Sequence, residues 1–266
     1  MNQSNGPRDP GVRRLARRTA LVTGAPRSIG RAIAEALAEA LAEEGANIVL
    51  HYRSRETEAH EAAETIRKLG VDVLPLSADL TRSSSVLELF DLAIAHFGGL
   101  DIVVANAGVA SRLQPVAEIS DAEFDRVLAV NTRAVFYVLR EAARRLSDGG
   151  RIINISSSST QSAGAGFGAY ATSKNGANAT IRTLAKELSS RGITANSIHS
   201  GAVGDGFLAA DGGVLSAEMT QYVAASAPAG RLGEPSDIAP VARFLALPEA
   251  EWINGQALVV NGGSWI

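Results

Sequence analysis

What most constrains this chain is an alternation. Seven short apolar runs read as strands: 19–23 (TALVT), 47–52 (NIVLHY), 71–76 (VDVLPL), 101–106 (DIVVAN), 151–156 (RIINIS), 193–198 (ITANSI) and 257–261 (ALVVN). Several are apolar on both faces, the pattern of strands covered by helices on each side. Between them lie segments such as RAIAEALAEALAEEG and SVLELFDLAIAHFG, with apolar residues at helical spacing. Each ends at a glycine, Gly45 or Gly98, suited to a left-handed C-terminal position. Repeated strand–helix units imply a parallel sheet with right-handed crossovers. The expected fold is a single doubly wound (Rossmann) α/β domain of about seven strands with helices on both faces.

At 266 residues the chain fits one large domain better than two, and no linker divides it. Residues 1–18 are polar and contain Gly, Pro and several arginines, so they read as a disordered tail before a domain at 19–266. SDAE at 120–123 has the spacing of a capping box. AEALAEALAEE (34–44) nearly repeats every four residues and keeps Ile33, Leu37 and Leu41 on one helix face. The repeat should lengthen the helix or be absorbed as a bulge.

Net charge is −3, which argues against a nucleic-acid surface. The absence of cysteine excludes disulfides, thiolate catalysis and cysteine metal sites, and fits a reducing, cytoplasmic setting. No apolar run reaches the roughly 18 residues of a membrane span, so no membrane association is expected.

The first strand-to-helix turn reads TGAPRSIG, residues 23–30. In a doubly wound sheet this turn lies at the carboxyl edge, where a helix N-terminus directs unpaired N–H groups outward. Gly24 and Gly30 leave the backbone open to a pyrophosphate, with Arg27, Ser28 and Ile29 between them. The spacing is not GxGxxG, so the turn alone is equally a tight corner that holds nothing.

Ser157, Tyr170 and Lys174 are separated by thirteen and then four residues. The tyrosine and lysine share one helix face. A free phenol titrates near 10, and an adjacent ammonium favours the phenolate, so the pair suggests a tuned acid or base. Together with TGAPRSIG, NAG (106–108), Asn131 in VNTRAVF and the tail GRLGEPSDIAPVARFLAL…NGQALVVNGG, these motifs resemble the short-chain dehydrogenase/reductase family. The likeness runs from about residue 19 to 263 and is nearest to the 3-oxoacyl-carrier-protein-reductase-like branch.

The resemblance implies that Tyr170 gives a proton to a substrate carbonyl oxygen, or takes it back from the alcohol. Lys174 would lower the tyrosine pKa and bond the nicotinamide ribose, Ser157 would polarise the substrate oxygen, and Asn131 would hold a water linking Lys174 to solvent. Hydride passes between the nicotinamide and a small-molecule ketone or secondary alcohol, with no metal. It implies cofactor contacts at Gly24, Arg27, Ser28, Ile29, Gly30, Asp79, Leu80, Asn106, Ala107, Gly108, Gly201 and Val203, besides Tyr170 and Lys174. After the second strand, Tyr52, Arg53 and Ser54 stand where an NAD site commonly places an acid. Arg53, with Arg27 opposite, suits a 2′-phosphate, so NADP(H) is expected in preference to NAD(H). His51 and Arg55 are secondary candidates.

The chain departs from the family pattern at several positions. Ser28 replaces the usual middle glycine of the turn, Ala105 the first Asn of NNAG, and Ser200 the proline of Pro-Gly. Asp205 stands where a threonine often binds the cofactor, and its charge would oppose a pyrophosphate. Residues 202–222 read as a lid, with Phe207, Leu208, Leu215, Met219 and Tyr222 over a substrate pocket or in the core. The family further implies a homotetramer, or a homodimer, using the Asn131 and Tyr170 helices at one interface and the last strand at another. The rival readings are a non-catalytic NADP(H)-binding protein of the same fold and a purely structural assembly protein.

Overall fold

All seven apolar runs become strands, and all pair in parallel. The structure is a computed structural model and describes residues 18–42, 47–204 and 217–264. The first half runs β1 (Thr19–Val22), α1 (Ser28–Ala42), β2 (Asn47–Tyr52), α2 (Glu56–Arg67), β3 (Val73–Ser77), α3 (Ser83–Phe97) and β4 (Ile102–Ala105). The second half runs α4 (Asp121–Leu128), α5 (Val135–Arg145), β5 (Arg151–Ser157), α6 (Gly168–Glu187), β6 (Thr194–Ser200), α7 (Ala217–Ser226), α8 (Pro235–Ala246) and β7 (Ala257–Val260). Strand order is β3-β2-β1-β4-β5-β6-β7, so the winding reverses between β1 and β4. A crevice opens at the carboxyl ends of strands flanking such a switch point, which is where ligands bind in open α/β sheets.

The two-sided burial of the strands explains their continuous apolar sequences. Ala20, Val22, Ile48 and Leu50 face one layer with Ile33, Leu37 and Ile238 from α1 and α8. Leu21, Val49 and Val103 face the other with Phe90, Leu139 and Ile181 from α3, α5 and α6. Each such side chain contributes roughly 1.5–3 kcal/mol on leaving water. Pro75 sits in edge strand β3, where its missing N–H costs no interior ladder bond.

The helix ends follow the sequence with two differences. Gly98 closes α3 in the left-handed region at φ +81°, its N–H bonding Ile94 O, whereas Gly45 lies outside the described residues. Ser120 caps α4 by accepting the Glu123 N–H, but only half of the expected box forms. The Glu123 carboxylate turns instead to the Arg112 N–H and the Arg126 guanidinium. The alanine-rich repeat continues as regular α-helix through Ala42, lengthening the end away from the first turn rather than bulging. Ile33 and Leu37 are buried along it, while the Leu41 side chain lies outside the described set.

At the tail boundary, Arg18 donates to Gly149 O and its own carbonyl accepts the Asn47 N–H. Strands β5 and β6 extend past their sequence limits to the paired residues Ser157 and Ser200. That extension carries Ser157 to the edge of the crevice.

Candidate active site

The turn after β1 is built by close approach. Thr23 Oγ accepts N–H bonds from Asn106 (2.9 Å) and Ala107 (3.1 Å), tying β1 to β4. The Asn106 amide donates to Thr23 O and Gly24 O. Gly24 has φ +65°, and a Cβ there would lie 2.9 Å from Ala107 Cα. Gly30 is tighter still: a Cβ would lie 2.3 Å from Gly24 O. Only glycine fits either position, and the backbone N–H groups opening α1 stay accessible.

Ser28 has φ +61°, the left-handed region, and is the one non-glycine residue with positive φ among the described residues. The family's glycine at this point is therefore a conformational requirement that the serine meets under strain. A β-branched residue suffers more there, so Ser28→Val should unfold about 1–2 kcal/mol more easily than the parent. Ser28→Gly should be at least as stable as the parent, since relief of strain offsets its unfolded-state entropy. Urea denaturation checks this order, and a Val variant as stable as the parent would refute the strain.

Tyr170 and Lys174 lie in the first turns of α6 and converge on Ser157 from β5. The Lys174 ammonium is 6.0 Å from the Tyr170 ring centre and donates to Ile155 O at 3.1 Å. The Tyr170 phenol is hydrogen-bonded with Ser157. Desolvation, however, raises the phenol to about 12, with the Ser157 bond opposing. Desolvation likewise lowers Lys174 to about 8. The sequence expectation of a phenol made more acidic by its lysine is corrected here, because a low-polarity pocket disfavours both charged forms.

Ser157 is held by a residue that spacing alone did not single out. Its Oγ accepts the Ser159 N–H (3.2 Å) and the Ser159 hydroxyl (2.9 Å), which directs the Ser157 proton outward. Asn131 lies in a π-helical turn, Ala129–Ala134, between α4 and α5, and is fully buried. Its amide bonds both backbone groups of Val109 at 2.8 Å and the Ser173 hydroxyl at 3.0 Å. It does not line the crevice, and it acts by fixing the 106–111 loop against α6. A Cβ on Gly108 would meet Lys174 Nζ at 3.0 Å and Asn131 Oδ1 at 3.2 Å, so this loop packs directly on the ammonium.

Tyr52 ends β2 and is buried, and Arg53 and Ser54 follow it in an exposed bend. Tyr52 O accepts the Ala78 N–H, bringing the β2 and β3 ends together. Asp79 does not cap α3, whose N-cap is Arg82 without a side-chain bond. Its carboxylate instead accepts the Thr81 hydroxyl (2.7 Å) and N–H (3.0 Å), which hold it below the usual range with help from the Arg53 charge. Leu80 is buried beside it. Arg27 reaches this end from the first turn, close to Glu58.

On the opposite side, Ser200 Oγ donates to Ser156 O at 3.3 Å and so restrains the position where the family has proline. Gly201 bonds Val260 O, and a Cβ there would lie 2.8 Å from Asn261 Cα. Val203 is buried and bridges Gly233. Asp205, Phe207, Leu208 and Leu215 lie outside the described residues, as does the Met219 side chain. Tyr222 on α7 is exposed and faces the crevice.

These segments form a cavity of about 960 Å³, and of the catalytic and cofactor-binding candidates that lie among the described residues, all but Gly30 and Asn131 line it. His51 and Ser159 also line it. The Ser111 and Ser156 hydroxyls on its wall are buried without a partner. A cradle that excludes Cβ atoms, orphan hydroxyls and a mixed arginine end fit an elongated nucleotide. Among the described residues, no group of three or more His, Asp or Glu could hold a metal ion.

Residues 24–264 match the family model described as enoyl-(acyl carrier protein) reductase. A short chain dehydrogenase, mdpC, of Emericella nidulans is 40% identical over 260 residues, covering 94% of this chain and 96% of its own. A hydroxynaphthalene reductase-like protein, Arp2, of Metarhizium brunneum is 38% identical over 262 residues, covering 95% and 96%. Among solved structures, a short chain dehydrogenase from Burkholderia cenocepacia in complex with NADP superimposes with a TM-score of 0.85. It is 32% identical and the match covers 94% of this chain and 99% of that one.

Proposed function

The chain belongs to the short-chain dehydrogenase/reductase family, and from that premise we propose that it reduces a ketone with NADPH, using Tyr170 as the general acid. The observation that carries this reading is the meeting of Ser157, Tyr170 and Lys174 on one wall of the cavity that the glycine turn opens. The cofactor, when bound, supplies or accepts hydride at its nicotinamide ring. Ser157, its lone pairs taken by Ser159, has one proton to give; it turns that proton from the Tyr170 oxygen to the substrate oxygen when substrate enters, where it is worth most as charge develops. Tyr170 passes its proton to that oxygen, and the high phenol pKa keeps it protonated across the neutral range. Lys174 balances the phenolate and bonds the ribose, and Asn131, its amide committed to Val109 and Ser173, keeps the loop beneath the ammonium in place.

NADP(H) is favoured over NAD(H) because Arg53 and Arg27 border the same end of the cavity and no carboxylate stands at Tyr52. Arg53→Glu should raise the KM for NADPH by about tenfold or more while changing that for NADH little, since only the former carries a 2′-phosphate to be repelled. Equal effects on both nucleotides in steady-state assays would remove Arg53 from that role. The likeness to a hydroxynaphthalene reductase-like protein, with Phe167 and Tyr222 on the cavity wall, supports a ketone on a fused aromatic ring as substrate.

Exposed Phe124 on α4, Phe136 on α5, Phe244 on α8 and Val259 on β7, with Trp252, supply apolar surface for a homotetramer. Among the described residues no helix is long and apolar enough to cross a membrane, and we place the enzyme in the cytoplasm. NADPH oxidation followed with a panel of hydroxylated polycyclic ketones and 3-oxoacyl thioesters tests the whole reading. Turnover of ring ketones supports it, thioester turnover alone would move it to the acyl-carrier branch, and no turnover with NADPH binding would favour the non-catalytic rival.

A further inference from the structure

His51, in the sequence a secondary candidate beside Arg53 at the 2′-phosphate end, makes instead two ring bonds to two different turns. It is 2% exposed and lines the cavity. The Gly24 N–H points at Nδ1 (3.1 Å), and Nε2 lies 3.0 Å from Ala78 O. Those two partners fix the tautomer: Nδ1 must accept, so Nε2 carries the hydrogen and donates. Burial agrees, lowering the imidazole to about 4 and keeping it neutral. The backbone reinforces the same junction, since His51 O accepts the Ala25 N–H.

Gly24 begins the turn that would hold the pyrophosphate, and Ala78 immediately precedes Asp79 and Leu80 at the adenosine end. One imidazole therefore sets the spacing between the two places where a dinucleotide must be held. Gly24 cannot shift freely to compensate, because Ala107 and Gly30 close it in from the other sides. We infer that His51 is a positioning residue for the nucleotide, a neutral clamp that preorganises the phosphate turn against the adenosine loop; this rests on the cofactor reading above. Its effect belongs to binding and not to proton or hydride transfer, because it lies on the β2 side of the crevice, away from Tyr170.

The test compares His51→Leu, which keeps bulk but loses both bonds, with His51→Gln, which retains an acceptor and a donor. NADP+ titration by intrinsic fluorescence should give about a tenfold weaker dissociation constant for the Leu variant. The Gln variant should recover most of the loss, and kcat should stay within about threefold in both, since truncation removes binding and not chemistry. In the protein alone, amide hydrogen exchange at Gly24 should accelerate in His51→Leu. Unchanged NADP+ affinity in the Leu variant, or unchanged Gly24 exchange, overturns the clamp. A parent protein that binds neither NADP+ nor NAD+ overturns the cofactor reading and this role with it, and faster Gly24 exchange then traces the failure to the ligand rather than to the tie.

Discussion

Tyr170→Phe should lower ketone-dependent NADPH oxidation by about a thousandfold or more while leaving NADPH affinity within a few-fold of the parent. The expectation follows from what the hydroxyl does and what remains without it. General acid catalysis contributes about 10²–10⁴ in rate, and Tyr170 carries the one phenol bonded with Ser157. Phenylalanine keeps the ring and its packing, so the lysine-lined pocket should not collapse. The direction of the pKa shift matters to the argument. Burial holds the phenol near 12 and the ammonium near 8, so at neutral pH the acid form is ready and its conjugate base is costly. Proton transfer is then favourable only as negative charge develops on the substrate oxygen, with Lys174 supplying the compensating charge. Single-turnover kinetics with a ring ketone, alongside fluorescence titration of NADPH, separate the chemical step from binding. Undiminished single-turnover rates in the Phe variant would exclude Tyr170 as the acid.

How far the sequence disclosed this molecule depends on the kind of physics at each residue. The strands were legible because burial on both faces favours unbroken apolar runs, as Ile48, Val49 and Leu50 illustrate. The glycine turn was legible as well, but Ser28 looked like a departure until its φ of +61° showed that the backbone still demands the left-handed region. Side-chain bonds between distant segments left weaker traces. His51 was legible only as a secondary candidate beside Arg53, and nothing local announces that its ring meets Gly24 and Ala78. The serine run pointed to Ser157 by spacing to Tyr170, and gave no reason to prefer Ser159 as its anchor. Asn131 was found by motif, yet its π-helical turn and its bonds to Val109 depend on packing across α6. The sign of the tyrosine shift was misread for a related reason: spacing reveals a neighbouring charge but not how much solvent the pair has lost.

Gly30→Ala should abolish tight NADPH binding, with at least a hundredfold weaker affinity, and should cost about 2–4 kcal/mol of stability. The added Cβ would lie 2.3 Å from Gly24 O and 2.5 Å from the Asn106 amide nitrogen. Neither neighbour can yield cheaply. Gly24 is braced against Ala107 at 2.9 Å from its own imaginary Cβ, and Asn106 is tied by its amide to Thr23 O and Gly24 O. The methyl must therefore push α1 away from the turn, which opens the N–H cradle and breaks the link between β1 and β4. Gly99→Ala is the matched control, because a Cβ there meets only Ser147 Oγ at 3.7 Å and the backbone is not left-handed. It should bind NADPH like the parent and unfold within about 1 kcal/mol of it. Parallel urea denaturation and NADPH titration of the two variants decide the matter. If Gly30→Ala folded stably and bound the nucleotide as the control does, the pyrophosphate would have to lie elsewhere than on this turn.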